Sequence, residues 1–317
     1  MMNTGVKIER ITRCKNAVRI QSPVDAFNNF FAFLDVSSKT AETYRKALKQ
    51  FIGYLNEHGI KHPQREDIIA FRKALDCKGR KPATIALYLS AVRRFFSWCK
   101  SEGLYEDITV GIKAPKIDRG HKKDCFSGSQ VRDILTGINR TNLEGMRNYA
   151  ILGLMVTCGL RTIEITRANV GDLRNVAGVT CLFVQGKGKT SKAEFVKLPP
   201  QIERAVRVYL NSRGCVSDDE PLFSSCSRRN KGNRLTTRTI SGVAKSAMNN
   251  AGFNSSRLTA HSLRHTAITL ALVAGQPLAD VQAFARHCSI TTTMIYNHAV
   301  NRMNSQCESS IAGAIFI

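Results

Sequence analysis

Residues 181–198 read Cys-Leu-Phe-Val-Gln-Gly-Lys-Gly-Lys-Thr-Ser-Lys-Ala-Glu-Phe-Val-Lys-Leu. Apolar residues crowd the two ends, Leu182, Phe183 and Val184 on one side and Phe195, Val196 and Leu198 on the other. Gly186–Lys192 between them is a run of glycine and lysine suited to a tight turn. This pattern predicts a β-hairpin with a basic tip. Elsewhere the apolar residues recur with helical period, so the stretch decides the fold class: mainly α, with a small antiparallel sheet in the second half.

Upstream of the hairpin, an apolar helix is expected over Leu143–Cys158, closed by Gly159. Before it, Ser127-Gly128-Ser129-Gln130 forms a capping box ahead of Val131, Ile134 and Leu135. Downstream, helices are expected over Gln201–Ser212, Thr237–Ala251, His261–Ala274, Leu278–Ala285 and Ile290–His298. Residues 111–126 hold Pro115, two glycines and basic residues without period, and read as a basic linker. Residues 22–110 read as a four-helix domain. Its apolar faces are Phe27, Phe30, Phe31 and Leu34; then Tyr44, Leu48, Phe51 and Leu55, with Thr40 as cap and Gly59 as stop. A third helix runs from Arg65 to Leu75, and a fourth from Pro82 carries Ile85, Leu89, Val92 and Phe96. The layout is a basic arm (1–21), a helical domain (22–110), a linker (111–126), a second domain (127–300) and an apolar tail (301–317).

The chain has 317 residues, 47 Lys+Arg against 24 Asp+Glu, and a formal charge of +23. Such an excess on a folded chain suits a polyanion, nucleic acid first. No apolar run of about 18 residues predicts a membrane span, and Met1–Ile20 lacks the apolar core of a signal peptide. The expectation is a cytoplasmic, nucleoid-associated protein with no membrane partner. Ten cysteines are scattered without a C-x-x-C pair, which argues against disulfides or zinc and for reduced thiols packed mostly as small hydrophobes.

The chemistry gathers in the second domain. Arg161 opens a helix just after Gly159. Lys187 lies in Gly-Lys-Gly at the hairpin tip. His261, Arg264 and His265 share one helical face by their spacing of three and four. His287 ends a helix, and Tyr296 follows on a short one. Taken singly, a turn lysine, an H-x-x-R pair or a half-buried tyrosine has an ordinary structural reading. Taken together they supply planar forks for phosphate oxygens, a phenol able to form a phosphodiester, and groups to move protons. No acidic cluster suited to Mg²⁺ is present, so no metal and no cofactor are expected.

The motifs Thr157-Cys158-Gly159-Leu160-Arg161-Thr162-Ile163-Glu164-Ile165, Gln185-Gly186-Lys187-Gly188-Lys189, His261-Ser262-Leu263-Arg264-His265 and Arg286-His287-Cys288-Ser289-Ile290 through Tyr296-Asn297-His298 resemble the tyrosine recombinase, or phage integrase, family. The chain is Xer-like in size and layout. Lys81-Pro82-Ala83-Thr84 through Val92-Arg93-Arg94-Phe95-Phe96 resembles the family's core-binding helix. The resemblance implies a helical SAM-like core-binding domain and a mixed α+β catalytic domain. It implies Arg161 and Arg264 as phosphate clamps, Lys187 as the acid for the leaving 5′ oxygen, His261 as acid/base, His287 as a phosphate hydrogen-bond donor and Tyr296 as nucleophile. His265 is expected to be structural, and Glu164 a structural partner.

Arg286 stands where the family usually has glycine, and is expected to add a phosphate contact or crowd the turn. DNA contacts are expected from Arg80, Lys81, Thr84, Arg93, Arg94, Lys122 and Lys123. The implied partners are double-stranded DNA with paired recombination sites, further copies forming a homo-tetramer on DNA (free in solution, a monomer or weak oligomer), and an accessory DNA-bending or excision factor. The tail would dock on a neighbouring subunit or on its own domain. Integration or excision of a mobile element is the expected role. The alternatives are a dimer resolvase or invertase, a type IB topoisomerase, and a non-enzymatic regulator on the same scaffold.

Overall fold

The computed structural model describes residues 26–117, 124–186, 188–214 and 216–316, without the side chains of 299 and 302–304. The basic arm, Lys122, Lys123 and Lys187 lie outside these residues. The chain divides into two compact units at Asp118/Arg119.

The described part of the first unit contains α1 (Ala26–Phe33), α2 (Ser38–Glu57), α3 (Arg65–Cys77) and α4 (Pro82–Ser101). Ser37, not Thr40, caps α2: its Oγ accepts the Thr40 amide at 3.3 Å. Pro82 sits in the first turn of α4, where a missing N–H costs nothing. Phe30, Phe51, Phe71, Phe95 and Phe96 are buried together. Their rings meet edge to face, Phe30 with Phe95 at 5.4 Å and Phe51 with Phe71 at 5.2 Å, the arrangement aromatic quadrupoles favour.

The start of the expected linker is tied down. Ile112 is buried in this aromatic core. Three arginines donate to the carbonyls beside it: Arg65 to Val110, Arg93 to Ile112, and Arg72 to Lys113 at 2.8 Å. The boundary expected at residue 110 therefore moves outward, because an apolar side chain two residues beyond it finds a place in the core.

The second unit is built on α6 (Leu143–Thr157), in which Ala150, Ile151, Leu152, Leu154, Met155 and Val156 are all buried. A helix apolar on every side has to be surrounded, and α8 (Pro200–Arg213), α9 (Thr237–Asn250) and α10 (Ala260–Val273) pack against it. α5 (Gly128–Thr136) begins at the expected capping box, with the Gln130 amide donating to Ser127 Oγ at 3.2 Å and the Ser127 amide to Gln130 Oε1 at 2.9 Å. α7 (Thr162–Arg167) follows α6, and α11 (Leu278–Ala285), α12 (Ile290–Asn304) and α13 (Cys307–Ile315) end the chain.

The sheet has three strands in the order β1-β2-β3, all antiparallel: Leu173–Val176, Val179–Val184 and Glu194–Lys197. The hairpin stands as expected, with Leu182 opposite Val196. The sequence pattern missed β1. It pairs through a two-residue turn, Ala177-Gly178, in which both residues have positive φ (49° and 83°). That is the turn whose twist suits a hairpin, but alanine in its first position hid the signal.

Two further expectations are corrected. α12 runs past residue 300, and the tail is helical: none of α13 is buried, and Ile311, Ile315 and Phe316 are exposed. Of the eight described cysteines, Cys99, Cys158 and Cys181 are buried, whereas Cys77, Cys125, Cys288 and Cys307 are exposed. These four sit at helix ends or in loops, beyond the reach of the core. No described helix is long and apolar enough to cross a membrane.

Candidate active site

α6 ends in a left-handed turn at Gly159 (φ +59°), where an added Cβ would lie 3.1 Å from the Phe284 ring. Both the left-handed conformation and the close ring favour glycine there. The chain then presents Arg161 at the N-terminus of α7. Glu164, one turn on, accepts the Arg161 amide at 2.7 Å and the Arg161 guanidinium at 2.8 Å. Glu164 is fully buried, and its other partner is Arg286, with Nη2 2.9 Å from Oε2. Burial alone would raise this carboxyl. Arg286, helped by the Arg161 amide and guanidinium, outweighs burial and holds it below the usual carboxylate range.

Arg286 closes α11 in the left-handed region (φ 50°, ψ 50°). A side chain there costs about 1 kcal/mol relative to glycine. Its guanidinium offsets this by donating to the Phe284 carbonyl at 2.8 Å, the Gly159 carbonyl at 3.1 Å and the Glu164 carboxylate. The side chain is 5% exposed. The expectation that Arg286 adds a phosphate contact is thus corrected: its donors are spent inward, because a buried carboxylate lies within reach.

Arg264 on α10 is also buried, and donates to the carbonyls of Gly159 and Ala285. Burial, then the neighbouring Arg161 and Arg286, lower its pKa to about 9, which leaves it protonated at neutral pH. Arg161 Nη2 reaches the Arg286 carbonyl at 3.3 Å. Arg161 and Arg286 thus share the Glu164 carboxylate, with the buried Arg264 bonded to the turns beside them, and burial strengthens the action of that charge.

His287 Nδ1 is 2.9 Å from Oγ1 of the buried Thr293, and its carbonyl accepts Gln282 Nε2 at 3.1 Å. Burial, followed by Arg264, Arg161, Arg286 and His261, lowers its pKa to about 4, so the ring is neutral at pH 7. It stacks on Tyr296 with centroids 6.2 Å apart. Tyr296 on α12 is 5% exposed, and its hydroxyl is hydrogen-bonded to His265 Nδ1. Burial pushes the phenol up to about 12, although Arg264 and Arg161 pull it down. His265 in turn meets His261 edge-on, centroids 4.8 Å apart. His261 is exposed and lines an open cavity of about 400 Å³ with Arg161, Thr162, Ser241, Lys245 and Thr259.

The structure thus brings together Arg161, Arg264, His261, His287 and Tyr296. Lys187 lies outside the described residues, but the root of its turn is held by Arg167, which donates to the Gly186 carbonyl at 3.0 Å. A second cavity, of about 590 Å³, has Lys189 and Glu194 of the hairpin on one side and His287 on the other. Lys192, which could be confused with Lys187 in sequence, is ion-paired to the buried Asp172. Sequence reasoning missed the bond of His265 to Tyr296; its only trace was the four-residue spacing from His261. In the first unit Arg80, Lys81 and Arg94 are exposed and Thr84 is half-buried. Arg93 is bonded to the Ile112 carbonyl, so the expected Arg93–Arg94 pair is divided between the tied-down start of the linker and solvent.

Comparison with known proteins identifies the family. The family model described as the phage integrase family matches residues 125–302, and that of the phage integrase N-terminal SAM-like domain matches residues 27–103. Tyrosine recombinase XerC of Herpetosiphon aurantiacus is 30% identical over 86% of this chain and 90% of its own. Tyrosine recombinase XerD of Oceanobacillus iheyensis is 30% identical over 86% and 93%. The fold matches the XerH site-specific recombinase bound to palindromic difH substrate in a post-cleavage complex, with TM-score 0.72 and 21% identity over 91% of this chain and 84% of that one. The chain belongs to the phage integrase family, the tyrosine recombinases, which cut and rejoin DNA strands.

Proposed function

We propose that this chain recombines DNA at paired sites through a 3′-phosphotyrosyl intermediate formed on Tyr296. Tyr296 Oη attacks the scissile phosphate, and the 5′ oxygen leaves with a proton from Lys187. Arg161 and Arg264 hold the non-bridging oxygens, His261 assists proton transfer, and His287 donates a hydrogen bond to the phosphate. A 5′-hydroxyl of another strand reverses the attack and seals the DNA. The observation that carries this reading is the convergence of Arg161, Arg264, His287 and Tyr296 on the turns after α6 and α11, with one carboxylate among three guanidiniums. Such fixed positive charge is matched to the charge that grows on phosphorus during transfer.

The test uses nicked half-site duplexes, selected from a random-core library by retention on the wild-type protein. Wild-type protein should accumulate a covalent adduct, and Tyr296→Phe should bind the same duplexes without forming one. An adduct in Tyr296→Phe protein removes the nucleophile from this reading. Relaxation of supercoiled plasmid without site preference would favour the topoisomerase alternative instead.

The DNA surface in this reading includes Arg80, Lys81, Thr84 and Arg94 on the first unit, with Lys122 and Lys123 beyond it. The exposed apolar face of α13, with Ile311, Ile315 and Phe316, suits contact with a neighbouring copy in a tetramer on DNA. For the biological role, integration and excision of a mobile element is the reading preferred here, since Arg286 departs from the glycine of the Xer pattern. The 30% identity to XerC and XerD supports a dimer resolvase as the second reading. Locating the selected core sites in the source genome separates the two: copies flanking a mobile segment support the first, and a single chromosomal copy the second.

A further inference from the structure

The phenol that has to lose a proton is buried, and burial holds the proton on. Bulk water is poorly placed to remove it. Of the nearby bases, Glu164 is locked between Arg161 and Arg286. His287 has Nδ1 occupied by Thr293, its basicity is depressed, and its ring stacks on that of Tyr296. His265 is different: its Nδ1 is hydrogen-bonded to the Tyr296 hydroxyl, with the two rings 5.1 Å apart and tilted by 34°.

We propose that His265 is a catalytic residue of strand cleavage, taking the Tyr296 proton on Nδ1 as Oη attacks phosphorus. The proposal rests on the reading of Tyr296 as nucleophile. In the ground state the imidazole carries its proton on Nε2 and accepts from the phenol at Nδ1. During cleavage the Oη–P bond forms and the P–O5′ bond breaks. The phenol proton moves to His265, and Lys187 supplies the proton that ends on O5′. Resealing runs both transfers backward, so His265 ends neutral and Tyr296 protonated.

The position of His265 suits such a shuttle. It lies one turn after His261 on α10, half-buried, with the exposed His261 ring edge-on at 4.8 Å. A charge formed on His265 is thus next to a titratable group that reaches solvent. Around α10, Arg161 comes from the turn after α6. Lys245 of α9 is bonded to the carbonyls of Ser255 and Leu258. Arg286 and His287 follow α11, Tyr296 belongs to α12, and His261 and Arg264 to α10 itself.

The experiment compares wild-type protein with His265→Asn and His265→Ala on the selected nicked duplexes, in single turnover. Asparagine places an amide near the Nδ1 position, so it can hold the Tyr296 hydroxyl but cannot take its proton at neutral pH. Both variants should bind the duplex as wild type does, by fluorescence anisotropy, which also shows that they are folded. Both should cleave about 10²-fold or more slowly, the usual worth of general base catalysis. The wild-type rate should rise with pH through a histidine ionisation that both variants lack. A 5′-bridging phosphorothiolate, whose leaving thiolate needs no proton, should restore cleavage to Lys187→Ala but not to His265→Asn. Wild-type cleavage by His265→Asn with an unchanged pH profile overturns the proposal, as does its rescue by the phosphorothiolate. Adduct formation by Tyr296→Phe, run beside them, would instead overturn the reading beneath it.

Discussion

Each unit of the molecule uses three arginines to staple one stretch of backbone to another. In the first unit Arg65, Arg72 and Arg93 donate to the carbonyls of Val110, Lys113 and Ile112. In the second, Arg161, Arg264 and Arg286 donate to the carbonyls of Gly159, Phe284, Ala285 and Arg286. The hydrogen bonding is alike, but the surroundings differ. Arg65 is exposed, and Arg72 and Arg93 half-exposed, so water screens their charge. Arg264 and Arg286 are buried with a single carboxylate nearby, so their charge persists at short range. One triad is a fastener. The other fastens two turns and at the same time gathers buried positive charge, which suits an anion.

The largest test of that contrast is Arg264→Ala. It should reduce cleavage about 10²-fold or more, as expected for losing a charge stabiliser. It should also lower thermal stability, since the Gly159 and Ala285 carbonyls lose a buried donor. Single-turnover cleavage and a melting curve measure the two losses; near-normal cleavage would place this triad with the fasteners.

Arg286→Gly comes next. It relieves the left-handed strain but leaves Glu164 to Arg161 alone, drawing that guanidinium away from the phosphate. A roughly tenfold loss of cleavage with little change in melting temperature is expected, since the regained backbone freedom and the lost ion pair oppose each other. A large fall in stability with unchanged rate would mean that Arg286 only fastens.

The pH dependence of stability is a third probe. The folded pKa of His287, about 4, lies below the ordinary histidine value of 6.5. Below pH 6.5 the unfolded chain binds a proton that the folded chain refuses. The contribution of a neutral His287 is therefore complete above pH 6.5 and lost progressively down to about pH 4. Urea melts of wild type and His287→Gln should converge across that window; parallel curves would remove the buried field from the account.

The smallest effects belong to the first unit. Arg93→Ala should cost about 1 kcal/mol and speed proteolysis within 111–117, with little change in the salt dependence of DNA binding. Arg94→Ala should leave stability alone and reduce the salt slope by about 0.9, the value for one phosphate contact. The reverse pattern would exchange their assignments.

Much of this architecture was legible in short-range pattern. The hairpin follows from Leu182–Val184 and Phe195–Leu198 flanking Gly186–Lys192. The capping box at Ser127 and the buried character of α6 needed only neighbours three and four residues away. The same spacing set His261, Arg264 and His265 on one face, and the motif resemblance drew in Arg161, His287 and Tyr296. β1 escaped because its two-residue turn begins with alanine.

By itself, then, the sequence determined the helices, the hairpin and the stock of side chains from which a phosphoryl-transfer site could be assembled. Only the tertiary structure decided how that stock is shared out. Arg286 turns inward to Glu164, 122 residues away in sequence, and Arg264 reaches Gly159 across 105. His265 meets Tyr296, and Arg93 is drawn to the Ile112 carbonyl rather than left to solvent with Arg94. The reason is physical: helical period and caps depend on nearest neighbours along the chain. The partner of a buried charge depends on which distant carbonyl or carboxylate the packed helices bring within about 3 Å of it.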